Sequence, residues 1–460
     1  MELIKNAFIV TMNPTRDVYT DGAVAVSGGK IQDIGRTSDL LKKYPDAKAV
    51  DARGKAIIPG LVAGHVHLFQ SLYRGIGTDR PLAVWLDECI WPLSEELGRD
   101  ECYLGGLLAS AELIRGGATT FVDSHYIHKD KNCMDGLAEA VTEIGIRGSL
   151  CRTSVDAEKL TPHFRETSKQ AAKEVARIVE KYHNSAGGRI RVRVEPLNEQ
   201  LASPELIRGI YEIAREHGIG MSMHLAETAT RAAYIRERHG CSPLEYLSEL
   251  GVLGPHLLLA HCVWIGHRDI ELLRATDTRV AYNSVSNQYL ADGVAPIPEM
   301  LERGVCVSIG PDGAASNNNL SMFETMKSAI LMQRANRLEM TNLNAERALE
   351  MAMLDGARAI GMESEIGSLE AGKCADLVVL DLERAEMTPT LGTISNIVYA
   401  ASPQTVDSVM IDGKWVLQHG EFTTIDEKKM LRDTRGCVSD MVKRASLDEK
   451  MYRGTWRYIE

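Results

Sequence analysis

Eight strand-like runs alternate with helical segments through the middle of this 460-residue chain, and that alternation restricts the fold more than any other feature. The runs are Ala56 to His67, Ala118 to His125, Arg147 to Thr153, Ile190 to Leu197, Ile219 to Glu227, Leu257 to Val263, Val280 to Val285 and Val305 to Asp312. Between them, segments such as Tyr103 to Arg115, Pro204 to His217, Arg268 to Arg274 and Met322 to Arg334 carry apolar residues at helical spacing. Ser203 before Pro204 reads as a helix cap. Parallel strands need crossover connections, usually helices, so the pattern predicts a parallel α/β sheet. Eight such units close a (β/α)8 barrel, expected here over residues 56–365.

The two ends have a different texture. Leu3 to Met12, Gly22 to Val26 and Lys30 to Gly35 read as strands, with Gly29-Lys30 punctuating the last two as a hairpin would. Ala375 to Asp381 and Val406 to Leu417, the latter around an Asp-Gly turn, repeat the style. A composite β-sandwich built from residues 1–55 and 366–424 would account for both. Residues 425–460 read as a polar helical extension packed on the outside.

Short clusters of histidine, glutamate and aspartate close several of the barrel strands: Gly64-His65-Val66-His67, His224-Leu225-Ala226-Glu227, Ala260-His261 and Gly310-Pro311-Asp312-Gly313. Side chains two apart on a strand share a face, so His65 and His67 can grip one ion. A lone histidine is more often structural than a ligand. The joint occurrence at strand C-termini, where barrel enzymes place their chemistry, predicts a site for one divalent borderline metal.

Composition narrows the partners. A formal net charge of −11 disfavours nucleic acid, which is held through clustered Lys and Arg. Arg189, Arg191 and Arg193 alternate with apolar residues, as on a half-exposed strand. The first residues turn polar too soon for a secretory segment, and no apolar run reaches membrane-spanning length, so a cytoplasmic, membrane-free protein is expected. Nine cysteines without Cys-x-x-Cys pairs predict buried thiols rather than a disulfide scaffold or zinc ribbon. A homo-oligomer, dimer or tetramer, is also expected.

Pro59-Gly60-Leu61 before Gly-His-Val-His, with His224-Leu-Ala-Glu227, Ala260-His-Cys262, Gly310 to Asn319 and Gly367 to Leu377, resembles the amidohydrolase superfamily. Within it the chain looks like the branch of triazine hydrolases, 8-oxoguanine deaminases and S-adenosylhomocysteine/methylthioadenosine deaminases. The resemblance covers nearly the whole chain. It implies one Zn²⁺ or Fe²⁺ held by His65, His67, His224 and Asp312, with His261 hydrogen-bonding the metal's water. Pro311 departs from the pattern, since many members have Thr there.

The resemblance also implies hydrolytic deamination of an amino-substituted N-heteroaromatic ring by attack of metal-bound hydroxide. Water is a poor nucleophile and the amino group a poor leaving group, so both ends of the displacement need help. Bound metal brings the pKa of water near 7. Asp312 can take the remaining proton, and Glu227, three residues after His224, can protonate the ring nitrogen and pass the proton to the departing amine. A surface role for Glu227, capping the next helix, is the plain alternative.

Gln70, Trp85 and Trp91 follow the first ligand pair in a segment that covers the barrel mouth in relatives, and a tryptophan there can stack on a flat ring. His125, in Val122-Asp123-Ser124-His125, is expected either to touch substrate or to be a satisfied rim residue. Asn283, Ser286 and Asn287 are polar rim residues without an assigned role. Nucleoside-deaminating relatives commonly read Trp-Pro-Leu-Glu, the glutamate bonding ribose, where this chain has Trp91-Pro92-Leu93-Ser94. A free triazine, purine or pterin base is therefore the expected substrate. S-adenosylhomocysteine, methylthioadenosine or adenosine, a triazine losing chloride or alkylamine, and an inert binding protein on the same fold are the alternatives.

Overall fold

Two sheets organise the chain in the computed structural model, which describes residues 1–126, 128–453 and 459. The first is a ring of parallel strands: β1 (Leu61–His67), β2 (Ala118–His125), β3 (Arg147–Ser154), β4 (Ile190–Pro196), β5 (Gly220–Leu225), β6 (Leu257–His261), β7 (Arg279–Tyr282) and β8. β8 comes in two pieces, Val307–Ile309 on β7 and Asp312–Gly313 on β1, and so closes the barrel. The break falls where Pro311 has no N–H to give the ladder. Gly310 lies so close to β1 that a Cβ would meet the backbone of His65 at 2.6 Å. Helices cover the outside, so every residue of β1, β2 and β3 is buried.

The sequence run from Ala56 to His67 is two strands rather than one. Lys55–Pro59 belongs to the second sheet, pairing antiparallel with Leu377–Asp381 and parallel with Glu2–Val10. β1 begins only after Gly60, where the Thr119 side chain occupies the space a Cβ would need. Both strands are buried, so hydrophobic periodicity carries no sign that the chain changes sheet. The expected strand Val280 to Val285 also ends early. After Tyr282 the chain turns into the helix Ser284–Tyr289, a short apolar run being readable either way.

The second sheet takes strands from both ends of the chain, in the order Glu421–Phe422, Lys414–Gln418, Val406–Ile411, Leu377–Asp381, Lys55–Pro59, Glu2–Val10, Val18–Ser27 and Lys30–Arg36. Gly28 and Gly29, at φ 59° and 78°, supply the two left-handed residues that a tight hairpin needs. Arg147 of β3 forms a buried two-pronged ion pair with Asp376, just ahead of Leu377–Asp381, at 2.8 and 3.2 Å. Asp376 accepts a further bond from the Asp412 N–H. The helix Glu427–Arg444 buries Met430 and Met441, and its Arg444 pairs with Glu96 and Glu101. An apolar cluster that includes Phe69, Tyr73, Trp85, Leu93, Tyr126 and Met441 lies beside the C-terminal ends of the strands.

Candidate active site

The four clusters singled out in the sequence converge at the C-terminal mouth of the barrel. His67 Nε2 lies 3.2 Å from Asp312 Oδ1 and 3.3 Å from His224 Nε2, and His65 Nε2 lies 3.6 Å from Asp312 Oδ1. All four side chains are buried. The backbone turns sharply to present them. Ala226, His261, Cys262 and Asp312 all have positive φ, between 49° and 73°, and such strain in non-glycine residues gathers at functional sites.

Hydrogen bonds behind the rings fix where their lone pairs point. His67 Nδ1 is 2.6 Å from the Ser124 carbonyl and His224 Nδ1 is 2.8 Å from a Glu195 carboxylate oxygen. Both partners accept, so each Nδ1 carries the proton and each Nε2 offers a lone pair inward. Burial and the neighbouring His224 and His67 hold His65 well below the usual histidine range, leaving a neutral ring whose Nε2 has no partner among the described residues. Burial raises the carboxyl of Asp312, but His67 and His65 beside it outweigh this and hold it well below the usual range. Inward lone pairs 3.3 Å apart, beside a carboxylate, fit a divalent cation and little else.

His261 stands on the opposite side. It accepts at Nδ1 from Asn287 Nδ2 at 2.9 Å, which leaves a proton on Nε2, 3.7 Å from Glu227 Oε1 and 3.9 Å from Asp312 Oδ2. Asn283 is 3.5 Å from the same ring, and Ser286, which precedes Asn287, is buried. Glu227 is 4 % exposed and caps nothing: Thr228 caps the following helix, Ala229–His239, by accepting from the Arg231 N–H. Burial pushes the Glu227 carboxyl up, yet its ion pair with Arg231, helped by His261, leaves it below its ordinary value.

These groups open into a narrow cavity. Gln70, Trp85 and Trp91 line it, as do Tyr126, Asn198 and Arg231, which the sequence did not single out. Gln70 Nε2 donates to the Tyr126 hydroxyl at 2.8 Å, and Trp91 meets the Tyr126 ring edge-on at 5.8 Å. Two expected contacts are absent from the lining. Ser94 is fully buried and donates to the Ile90 carbonyl at 2.5 Å within its own helix. Glu95 and Glu96 turn to His163 and Arg444. His125 sits behind Phe69, rings 5.3 Å apart, away from the cavity. The loop after Asp312 folds back on itself, Asn317 Nδ2 donating to the Pro311 carbonyl at 2.6 Å, so Pro311 supplies an acceptor where it supplies no donor.

Glu195 and Arg231 were missed. The signal for Glu195 was an acidic residue at the C-terminal end of a barrel strand; for Arg231 it was the i, i+4 spacing from Glu227 on a helical pattern.

Buried imidazoles and a carboxylate at the mouth of a (β/α)8 barrel, with Glu227 and His261 beside them, define a metal-assisted hydrolase. The amidohydrolase family model matches residues 56–416, and the chain belongs to that family. A bacterial imidazolonepropionase-like composite domain matches residues 22–47. Among its relatives, the 5'-deoxyadenosine deaminase of Methanobrevibacter smithii is 37% identical over 442 residues, 95% of this chain and 98% of that protein. The 5-methylthioadenosine/S-adenosylhomocysteine deaminase of Desulforudis audaxviator is 37% identical over 441 residues, 96% of this chain and 99% of that protein. An adenosine deaminase from Xanthomonas campestris with bound zinc superposes with a TM-score of 0.91 at 29% identity, covering 96% of this chain and 98% of that one. A guanine deaminase from E. coli shares the fold, with a TM-score of 0.83 at 22% identity, covering 91% of this chain and all of the other.

Proposed function

We propose that the protein is a divalent-metal-dependent aminohydrolase that converts an amino-substituted N-heteroaromatic ring, of adenine type and attached to a sugar, into the oxo ring with release of ammonia. The observation that carries this reading is the meeting of His65, His67, His224 and Asp312 with Glu227 and His261 in one buried cluster. Zinc, which the Xanthomonas structure carries, is the ion proposed.

Those three histidines and Asp312 would hold a divalent ion, which would supply a nucleophile near neutral pH by lowering the pKa of water to about 7. The chain's own groups move the protons. Asp312 and Glu227, both depressed to carboxylates, are ready to accept. Glu227 takes one proton from the attacking water and delivers it to the ring nitrogen beside the attacked carbon, which makes the ring an electron sink, and the water's second proton, taken up by Asp312, leaves with the amine as ammonia. The Nε2–H of His261 orients the attacking water between Glu227 and Asp312. Tyr126, Trp85 and Trp91 give the ring flat apolar walls.

Two observations favour a nucleoside over a free base. Relatives that match nearly the full chain are named for adenosine derivatives. A second hollow adjoins the first, sharing Leu82, Leu86, Trp91 and Arg231, and offers Asp87, Lys159 and Thr230 to polar substituents. Ser94, which pointed to a free base, faces neither hollow. Comparison of kcat/KM for adenosine, 5'-deoxyadenosine, methylthioadenosine and S-adenosylhomocysteine against adenine, guanine, pterins and aminotriazines tests this reading. Preference for the adenosine derivatives is expected; a clear preference for free bases would reverse the assignment of the outer hollow.

A further inference from the structure

A second set of metal-ligand side chains lies behind the wall of the active-site cavity. Cys102 comes from the helix Arg99–Arg115, His125 from the end of β2 and Cys133 from the first turn of the helix Asn132–Ile144. All three are fully buried, and one ligand atom from each lies within 4.8 Å of the other two. Cys102 Sγ is 3.7 Å from His125 Nε2, close to the separation that a sulfur at about 2.3 Å and a nitrogen at about 2.0 Å from one tetrahedral ion would have. Next to them stands His128, its ring 5.0 Å from that of His125.

The polar atoms here are short of partners. His125 Nδ1, His128 Nε2 and the Tyr73 hydroxyl are buried with no hydrogen-bond partner among the described residues. Buried donors and acceptors are seldom left so. Phe69 closes the cluster off from the catalytic histidines, its ring 5.3 Å from His125 and 6.1 Å from His67. The two sets therefore cannot share an ion.

We infer that Cys102, Cys133 and His125, with His128 beside them for the fourth position, form a structural site for a thiophilic divalent cation of the zinc type, separate from the catalytic metal. Two thiolates balance the charge of such an ion, so a neutral group is buried, which avoids the large cost of an unpaired buried charge. Both thiols give up their protons to solvent on binding. The ion would pin two cover helices to the end of β2, directly behind the Phe69 and Tyr126 wall. Lack of a Cys-x-x-Cys signature hides the set in the sequence, because its members meet only through the fold.

X-ray absorption at the zinc edge of the wild-type protein, purified with zinc, tests the site without relying on any variant. Sulfur scatterers at about 2.3 Å and two zinc ions per chain are expected. In cobalt-loaded protein, the near-ultraviolet thiolate-to-metal charge-transfer band should disappear in Cys102→Ser and Cys133→Ser, while Cys262→Ser keeps it. One ion per chain with only nitrogen and oxygen scatterers, or recovery of Cys102 and Cys133 as a disulfide, would overturn the inference. Neither result bears on the catalytic assignment, which ammonia release tests by itself.

Discussion

On the proposed mechanism, Glu227 is the residue whose removal would separate chemistry from assembly. Its carboxylate ligates nothing in the histidine–aspartate set, so Glu227→Gln should keep fold and metal content while kcat falls by about 10²- to 10⁴-fold, the usual cost of losing general acid–base catalysis. Steady-state kinetics with metal analysis on the same sample checks this, and near-wild-type turnover would remove Glu227 from the mechanism. Glu195→Gln should act on metal retention instead. It weakens the acceptor that holds the His224 tautomer, and loss of such outer partners typically costs about 10- to 100-fold in metal affinity. Competition with a zinc chelator reads that directly. At this scale, the residues that meet at the barrel mouth were legible because residue type and strand-end position coincide. Residues whose role depends on packing, such as Arg231 against Glu227 or Ser94 against its own helix, were not, since nothing local says which way their side chains turn.

Among the elements, the strands of the barrel were readable because their buried faces leave long apolar runs, while the change of sheet at Gly60 and the split of β8 were not. Both depend on close approaches between chain segments distant in sequence. The helix Asn132–Ile144 is tied to the helix Ser168–Tyr182 by Asp135, which accepts from Arg177, Lys181 and Tyr182. Burial raises the Asp135 carboxyl, but those three donors outweigh it and depress the value below 3.8. A depressed folded-state pKa means that the stabilisation is present above the unfolded value and is lost as pH falls through the folded one. Asp135→Asn should therefore destabilise at pH 7, by about 1 kcal/mol or less for a partly exposed network, and match the wild type in acid below the carboxylate range. Urea midpoints across pH measure this; a gap that persists unchanged in acid would reject the electrostatic origin.

Seen as one molecule, the protein consists of a barrel and a sheet drawn from both termini, coupled through Arg147 and Asp376. Their ion pair is almost completely buried, the side chains 3% and 2% exposed. Removing one partner should cost about 3–5 kcal/mol by leaving a charge unpaired, whereas Arg147→Met with Asp376→Leu should recover part of the loss. Additive losses in guanidinium unfolding, the double variant losing the sum of the two single variants, would show that the pair does not couple the two sheets. The helix Glu427–Arg444 adds a second link, since its Arg444 holds Glu96 and Glu101 next to the segment bearing Trp85 and Trp91. The architecture thus fixes the pocket wall from behind and leaves the chemistry to the strand ends. The reaction proposed for it is metal-dependent deamination of an adenine-type ring. The most direct measurement is ammonia released per mole of 5'-deoxyadenosine consumed, followed through chelation of the metal and restoration with zinc. One ammonia per substrate, together with the 6-oxo product, activity lost on chelation and regained with zinc, is the predicted result. Substrate consumed without ammonia, or full turnover in protein shown to be metal-free, would contradict it.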